Sequence, residues 1–203
     1  MHTLLDLLEV GHFEIYKDFH VKRGIRCSFA FGDFDLLDHE CAQLVSQFPE
    51  KVLAGIDVFA STTWCGQMTA FLMKKIIDEK FPRSFHQHER RMVVLRHNAT
   101  KGVCEQKVGR HLQAEKNVFI IFEHALNSMF LKSVTDGIKN TGANVAGIAV
   151  LLDRRAKNEK VDGHTVTSLH DLTSEEGNYF ITSNKPCKLC DEGVPLIESL
   201  RIF

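Results

Sequence analysis

Two cysteines near the C-terminus, Cys187 and Cys190, have the Cys-x-x-Cys spacing that can supply two of the four ligands of a structural zinc site. The other two ligands commonly come from a second such pair. The remaining cysteines are isolated from one another, at Cys27, Cys41, Cys65 and Cys104. Few of the 11 histidines recur at a metal-ligand spacing. The sequence therefore predicts no bound metal, and it favours a tight turn with two thiols at this position.

A small-molecule site is expected where the strands of a sheet end. Short apolar runs alternate with helical patterns along the chain, and an open parallel sheet binds ligands at the carboxyl ends of its strands. The loops to consider therefore follow Ala60, Leu95, Phe122 and Leu152. None of them carries GxGxxG or GxxxxGKS/T, so a dinucleotide-binding or P-loop function has no support.

Composition bounds the class of protein. A chain of 203 residues, 44% hydrophobic and 25% charged, is expected to form a single globular domain. The net charge of -1 gives no basic surface for nucleic acid or for an acidic membrane. No apolar run approaches the roughly 18 residues of a membrane span, and the first ten residues lack the features of a signal peptide. We expect a cytoplasmic protein with reduced thiols and with no nucleic-acid or membrane partner.

The N-terminal third reads as a short helix, two strands and a longer helix. Leucines at positions 4, 5, 7 and 8 fit one face of a short helix. Residues 12–31 read as extended, with Gly24 allowing a turn between two strands. Residues 35–48 have a helical pattern that Pro49 ends.

The rest of the chain alternates between strands and helices. Helical patterns cover residues 67–80 and 129–141, and Gly142 follows the second helix in the position of a capping glycine. Apolar strands are predicted at 52–60, 92–95, 117–122 and 144–152. Uninterrupted apolar strands that alternate with helices indicate an α/β fold, with a parallel sheet covered on both faces.

Residues 118–154 resemble the phosphoribosyl-pyrophosphate signature of the type I phosphoribosyltransferases, in particular of the orotate phosphoribosyltransferases. In that signature an apolar strand leads into two acidic residues, and a loop of the form Thr-x-Gly-x-Ser/Thr then opens a helix. Aligned without gaps, the two acids fall on Phe122 and Glu123. The Thr-x-Gly core falls on Leu126, Asn127 and Ser128.

The resemblance implies a role for each of these positions. Glu123 would accept hydrogen bonds from the ribose hydroxyls, and Asn127 and Ser128 would bind the 5′-phosphate at the start of a helix. One acid of the family motif is replaced by Phe122, and Ser128 stands where the family has a glycine. Bulky side chains in the same loop are expected to narrow the phosphate cavity; they are Leu126, Met129 and Phe130.

Other segments resemble the same family. Residues 57–66 match its pyrophosphate loop, in which Gly66 is kept and Cys65 replaces a lysine or glycine. Lys17 holds a place close to the base pocket. Residues 165–172 resemble the family's C-terminal strand, and residues 187–195 match its Cys-x-x-Cys-x-x-Gly-x-Pro tail. The basic loop that would neutralise the leaving pyrophosphate, the catalytic element here, contains Arg96, His97 and Lys101.

The resemblance as a whole implies one phosphoribosyltransferase-like domain over residues 1–203. Its core is expected at about 36–164, with a small hood formed by about 1–35 and 165–203. An active member would use Mg²⁺ and transfer phosphoribose from phosphoribosyl pyrophosphate to a pyrimidine-like base. It would also form a homodimer, with which the apolar surplus on helix 67–80 is consistent. The alternative is a catalytically impaired member that binds a nucleotide or related metabolite in a regulatory or structural role, and the eroded motif predicts a poor or inactive enzyme.

Overall fold

The computed structural model describes residues 3–16, 19–25, 32–84, 89–95, 97–98, 103–104, 112, 116–155, 160–172, 178–180 and 187–197. The strands are β1 (Leu8–Tyr16), β2 (Phe19–Ile25), β3 (Val58–Ser61), β4 (Arg91–Val94), β5 (His97–Asn98), β6 (Val103–Cys104), β7 (Asn117–Ala125), β8 (Asn144–Asp153), β9 (Val166–Asp171) and β10 (Asn178–Phe180). The α-helices are α1 (Phe34–Ser46), α2 (Glu50–Ala54), α3 (Trp64–Lys80), α4 (Ser128–Lys139) and α5 (Lys188–Asp191), and Leu4–Leu7 forms a 3-10 turn.

Five strands form a parallel sheet in the order β4-β3-β7-β8-β9. The central strand β7 is apolar over most of its length because both of its faces are covered. Phe119 and Ile121 pack with α1 and α3 on one face. Val118, Ile120 and Phe122 pack with α4 on the other. The α/β fold predicted from the sequence is confirmed.

The predicted strand at 52–60 is wrong in its first half. Residues Glu50–Ala54 form the short helix α2, and the strand begins only at Val58. Pro49 precedes the helix and Gly55 ends it, which suits their conformational preferences. Leu53 and Ile56 are both buried at a spacing of three residues, so a helical turn buries the apolar side chains that had suggested a strand.

Gly24 does not form the turn between the first two strands. It lies within β2 and faces Glu9 of β1, and the strands already pair at Tyr16 and Phe19. A Cβ atom at position 24 would lie 2.7 Å from the buried ring of Phe13. This glycine is therefore explained by the close approach of an aromatic ring to the backbone.

The predicted boundary between core and hood also needs correction at its C-terminal end. Residues 166–171 form β9, which pairs in parallel with β8 and completes the core sheet. The core therefore extends past residue 164, because an edge strand can join a sheet from a distant part of the sequence.

A second sheet combines both ends of the chain. It has the strand order β1-β2-β10 and is antiparallel. The C-terminal tail lies against it, because the Ile197 N–H donates to the His12 carbonyl at 2.7 Å. Within the described ranges, we find no helix that is both long and apolar enough to cross a membrane.

Candidate functional site

The loop after β3 and the end of β7 meet around the carboxyl group of Glu123. This side chain is buried, and the Thr63 hydroxyl donates to its Oε2 at 2.5 Å. The contact follows from the topology, because β3 and β7 are parallel neighbours whose carboxyl ends lie at the same edge of the sheet. Burial raises the pKa of Glu123, and hydrogen bonds from Thr63 and from the Gly66 backbone offset part of that rise.

Gly66 is required by the packing of this loop. A Cβ atom at position 66 would lie 2.2 Å from Ser61 Oγ and 2.8 Å from Glu123 Oε2. The Gly66 N–H donates to the Thr63 hydroxyl oxygen, which caps the N-terminus of α3. Gly66, which the sequence resemblance assigned to a pyrophosphate loop, therefore lets this loop close on the carboxyl group.

Two hydroxyls at the same edge are buried without a hydrogen-bond partner among the described residues. They are Ser61 Oγ and Thr62 Oγ1. A buried hydroxyl left unsatisfied costs on the order of 1–3 kcal/mol, so such groups are rare unless a ligand or water completes them. Polar atoms that lack partners beside a buried carboxyl group are typical of a binding site.

The predicted phosphate loop, residues 126–128, is largely engaged in contacts within the protein. Asn127 caps α4, and its Oδ1 accepts from the Phe130 N–H at 2.8 Å. Ser128 Oγ accepts a hydrogen bond from Arg155 Nη1 at 3.3 Å. Leu126 packs beneath the N-terminal hairpin. The loop still presents the N-terminus of α4 to the sheet edge, which is a suitable environment for an anion.

Met129 was expected to crowd this loop, and it does not. Its side chain is 82% exposed and points away from the protein. Phe130 instead stacks edge-on against Phe122, with ring centroids 5.4 Å apart. Phe122 is buried on the α4 face of β7, whereas Glu123 points to the opposite face, because side chains alternate along a strand. The aromatic residue at the acid position thus belongs to the core.

The end of β8 contributes an ion pair that was not among the predicted site residues. Arg155 donates from Nη2 and Nε to the two carboxylate oxygens of Asp153, at 2.7 and 2.9 Å, and both side chains are buried. The same guanidinium reaches Ser128 at the start of α4. The sequence does contain a signal for this ion pair, because Asp-Arg-Arg follows the apolar strand at residues 153–155. The second arginine of this run, Arg155, was not recognised as a site residue.

His124 lies on β7 next to the candidate site and has no hydrogen-bond partner for either ring nitrogen among the described residues. Both nitrogens are buried. Burial, together with the positive charge of Arg154, lowers the pKa of His124 to about 3. The ring is therefore neutral in the folded protein at ordinary pH.

The other predicted site residues fall in three places. The side chain of Cys65 packs in the core between the sheet and its helices, so only its backbone is available at the start of α3. His97 lies in β5, which pairs with β6 in a short antiparallel ladder, and its side chain is outside the description. Lys17, Arg96 and Lys101 lie outside the described residues.

The Cys-x-x-Cys segment is located next to two histidines from the other end of the chain. Cys187 and Cys190 lie at the start of α5, beside His12 of β1 and His20 of β2. The sequence predicted a tight turn with two thiols here, and it did not indicate the two neighbouring histidines. Nothing in the local spacing could reveal these partners, because they are more than 160 residues away in the sequence.

Comparison with known proteins defines the class. No family model matches the chain. Over 189 residues it is 22% identical to the orotate phosphoribosyltransferase of Pelotomaculum thermopropionicum, covering 93% of this chain and 87% of that protein. The orotate phosphoribosyltransferase structure from Aeropyrum pernix matches with a TM-score of 0.55 at 15% identity, over 83% of this chain and 90% of that one. An adenine phosphoribosyltransferase from Thermoanaerobacter pseudethanolicus matches with a TM-score of 0.51 at 14% identity, over 73% and 88%.

The parallel sheet, its flanking helices and these structural matches show the fold of the type I phosphoribosyltransferases. Within that class the chain is orotate phosphoribosyltransferase-like, since its sequence relative and several of its structural neighbours are orotate phosphoribosyltransferases. The resemblance found in the sequence is confirmed at this level.

Proposed function

We propose that this protein binds a phosphorylated ribose ligand, phosphoribosyl pyrophosphate or a mononucleotide, and that it is a poor or inactive transferase. The observation that carries the proposal is that the buried hydroxyls of Ser61 and Thr62 lack hydrogen-bond partners among the described residues, and that Ser61 Oγ lies beside the buried carboxyl group of Glu123. These groups are unfavourable in the empty protein, and a ligand with several oxygen atoms would satisfy them. Their location at the carboxyl edge of a parallel sheet supports the same conclusion.

The residues of the candidate site would each contact a different part of the ligand. Glu123 would accept from a ribose hydroxyl, and Ser61 and Thr62 would donate to phosphate oxygens near the N-terminus of α3. Ser128, supported by Arg155, would face the second phosphate at the N-terminus of α4. The remaining expected contacts, to a pyrimidine-like base and to pyrophosphate, involve Lys17, Arg96, His97 and Lys101.

The described edge offers oxygen donors that suit a magnesium ion carried by the ligand. Mg²⁺ is commonly held by one or two carboxylates together with substrate phosphates. Glu123 supplies one carboxylate, and the Ser61 hydroxyl oxygen, which has no partner among the described residues, lies close to it. When bound, the ion would neutralise pyrophosphate charge. The second carboxylate of the family motif is missing, which is one reason to expect weak catalysis.

A thermal-shift experiment tests ligand binding. Phosphoribosyl pyrophosphate, orotate and mononucleotides are each added with and without Mg²⁺. A ligand at a hundred times its dissociation constant stabilises the protein by about 2.7 kcal/mol, which gives a clear rise in the unfolding temperature. We expect such a rise with at least one of the phosphorylated ligands. No shift with any of them would contradict the proposal.

The variant Ser61→Ala sharpens the test. It removes a buried hydroxyl that lacks a partner, so the protein without ligand should be unchanged or more stable by up to about 1 kcal/mol. The shift produced by the ligand should become smaller, because one donor is lost. The matched control is Ser46→Ala at the exposed end of α1, which should leave the ligand-induced shift intact. Equal ligand shifts in both variants would show that Ser61 takes no part in binding.

The proposal includes a cytoplasmic homodimer, for which helix α3 supplies a surface. Trp64 and Phe71 are 57% and 55% exposed. They are seven residues apart and therefore lie on the same face of the helix. Large exposed aromatic residues on one face are typical of a contact between subunits.

Light scattering at high micromolar concentration is expected to give the mass of a dimer. The variant Phe71→Glu should shift the protein toward the monomer, because it places a charge in the contact. The control Lys51→Glu, an exposed position on α2, should remain dimeric. A monomer in the unmodified protein would exclude this assembly.

A further inference from the structure

Four metal-ligating side chains from three segments converge beside the second sheet. The candidate ligand atoms of His12, His20, Cys187 and Cys190 all lie within 4.8 Å of one another. The Cys187 and Cys190 sulfurs are 3.5 and 3.6 Å from His12 Nε2. Cys190 Sγ is also 3.4 Å from His20 Nδ1. We propose that these residues form a structural zinc site that joins the two ends of the chain.

Three sulfur–nitrogen distances in the cluster fit a tetrahedral ion. With a Zn–S distance of about 2.3 Å and a Zn–N distance of about 2.0–2.1 Å, a sulfur and a nitrogen on the same ion are separated by about 3.5 Å. The three sulfur–nitrogen distances agree with this value to about 0.1 Å. The two ring nitrogens, His12 Nε2 and His20 Nδ1, are 2.8 Å apart and would have to separate by about half an ångström to bind one ion.

The hydrogen bonding of His12 leaves one ring nitrogen available to bind a metal. His12 Nδ1 lies 2.8 Å from the Val194 carbonyl oxygen, which can only accept a hydrogen bond. Nδ1 must therefore carry the proton, and in the neutral ring the lone pair is on Nε2, which faces both sulfurs. Histidines that bind metals are usually held in this way, with the second nitrogen donating to a carbonyl or carboxylate group.

The composition and burial of the cluster favour Zn²⁺. Two thiolates and two neutral imidazoles balance the charge of a divalent ion, and mixed sulfur and nitrogen donors in a tetrahedral arrangement are typical of zinc. His12, His20 and Cys187 are buried, whereas Cys190 is exposed and leaves a path for the ion. Three buried polar side chains beside a fourth, exposed one are explained better by a bound ion than by packing.

The backbone around Cys187 and Cys190 has a compact shape that holds both sulfurs on one side. The Asp191 N–H donates to the Cys187 carbonyl at 3.1 Å, and the Gly193 N–H donates to the Cys190 carbonyl at 3.0 Å. Gly193 has a φ of 69°, which a glycine adopts without strain. The proposed ion would thus fasten this turn to the hairpin of β1 and β2, and metal binding would stabilise the fold.

Metal analysis of protein purified without chelators tests the proposal directly. We expect about one zinc per chain. Replacing zinc with Co²⁺ should produce the intense visible absorption of a tetrahedral site and thiolate-to-cobalt charge-transfer bands. Removing the zinc with a strong chelator should lower the unfolding temperature, and adding one equivalent of Zn²⁺ should restore it.

Two variants assign the ligands. Cys190→Ser changes the exposed ligand, which makes it the substitution least damaging to folding, and it should weaken zinc binding at least ~10-fold. The charge-transfer bands of the cobalt form should also become weaker. The control Cys41→Ala changes a cysteine outside the cluster and should keep the full zinc content.

Three results would overturn the proposal. The first is unmodified protein that contains no zinc and shows no tetrahedral Co²⁺ spectrum. The second is a disulfide between Cys187 and Cys190 in the freshly purified protein. The third is full zinc content and an unchanged cobalt spectrum in Cys190→Ser. All three can be read without any measurement of enzyme activity, so they are independent of the proposed ligand site.

Discussion

Assayed with phosphoribosyl pyrophosphate, Mg²⁺ and orotate, the protein is expected to turn over at least roughly a thousandfold more slowly than the ordinary enzyme median of about 10 per second. Losing one carboxylate to Phe122 removes a charge-assisted hydrogen-bond acceptor, worth about 1.5–3 kcal/mol in a desolvated site. The remaining carboxyl group of Glu123 is engaged by Thr63, and its pKa is raised by burial. A combined loss of about 4 kcal/mol in the transition state corresponds to a thousandfold.

We expect that restoring the acid at position 122 would not by itself raise the activity. Phe122 is buried and stacked on Phe130, on the face of the sheet opposite to Glu123. The variant Phe122→Asp should lose about 3–5 kcal/mol of stability, as is usual when a buried aromatic side chain is removed, and it should gain no activity. Turnover of the unmodified protein within tenfold of about 10 per second, with orotate, uracil or a purine base, would show that the motif is adapted and not eroded.

The second large effect expected is a loss of stability in acid that depends on His124. Burial and the charge of Arg154 lower the pKa of His124 from 6.5 to about 3 in the folded protein. The unfolded chain binds the proton more tightly, so this group contributes its full stability above pH 6.5 and loses it as the pH falls toward 3. The whole difference corresponds to on the order of 5 kcal/mol.

Urea unfolding at pH 7 and pH 4.5 measures the effect. Between these values His124 alone should reduce the free energy of unfolding by roughly 2–3 kcal/mol. The variant His124→Leu removes the titrating ring and should show a smaller dependence on pH. Carboxyl groups such as Asp57 and Asp78, whose pKa values are lowered, also destabilise the protein in acid, but they contribute equally to both proteins and cancel in the comparison.

A control variant tests whether the effect on stability belongs to His124 or to any histidine. His39 lies on a less buried face of α1, and His39→Leu should retain the pH dependence of the unmodified protein. If His124→Leu and the unmodified protein lose the same stability between pH 7 and pH 4.5, His124 does not resist protonation in the folded state.

The sequence by itself predicted the class of fold and the edge of the sheet at which the candidate site lies. Unbroken apolar runs at 117–122 and 144–152 indicated buried parallel strands, and the residues that follow them had to lie at the carboxyl edge. Phe122 and Glu123 are consecutive residues of a predicted strand. Because side chains alternate between the two faces of a strand, they must point to opposite faces of the sheet, as observed. These are local properties of a strand, which neighbouring residues determine.

Only the tertiary structure decided which distant residues come together. It assigned residues 50–54 to a helix and residues 166–171 to the core sheet, and it placed Met129 in solvent. It also brought His12 and His20 beside Cys187 and Cys190, whose pairing no local spacing could show. Contacts of this kind arise when whole strands pair and bury their apolar faces, so their partners depend on the packing of the entire chain and not on the residues next to them.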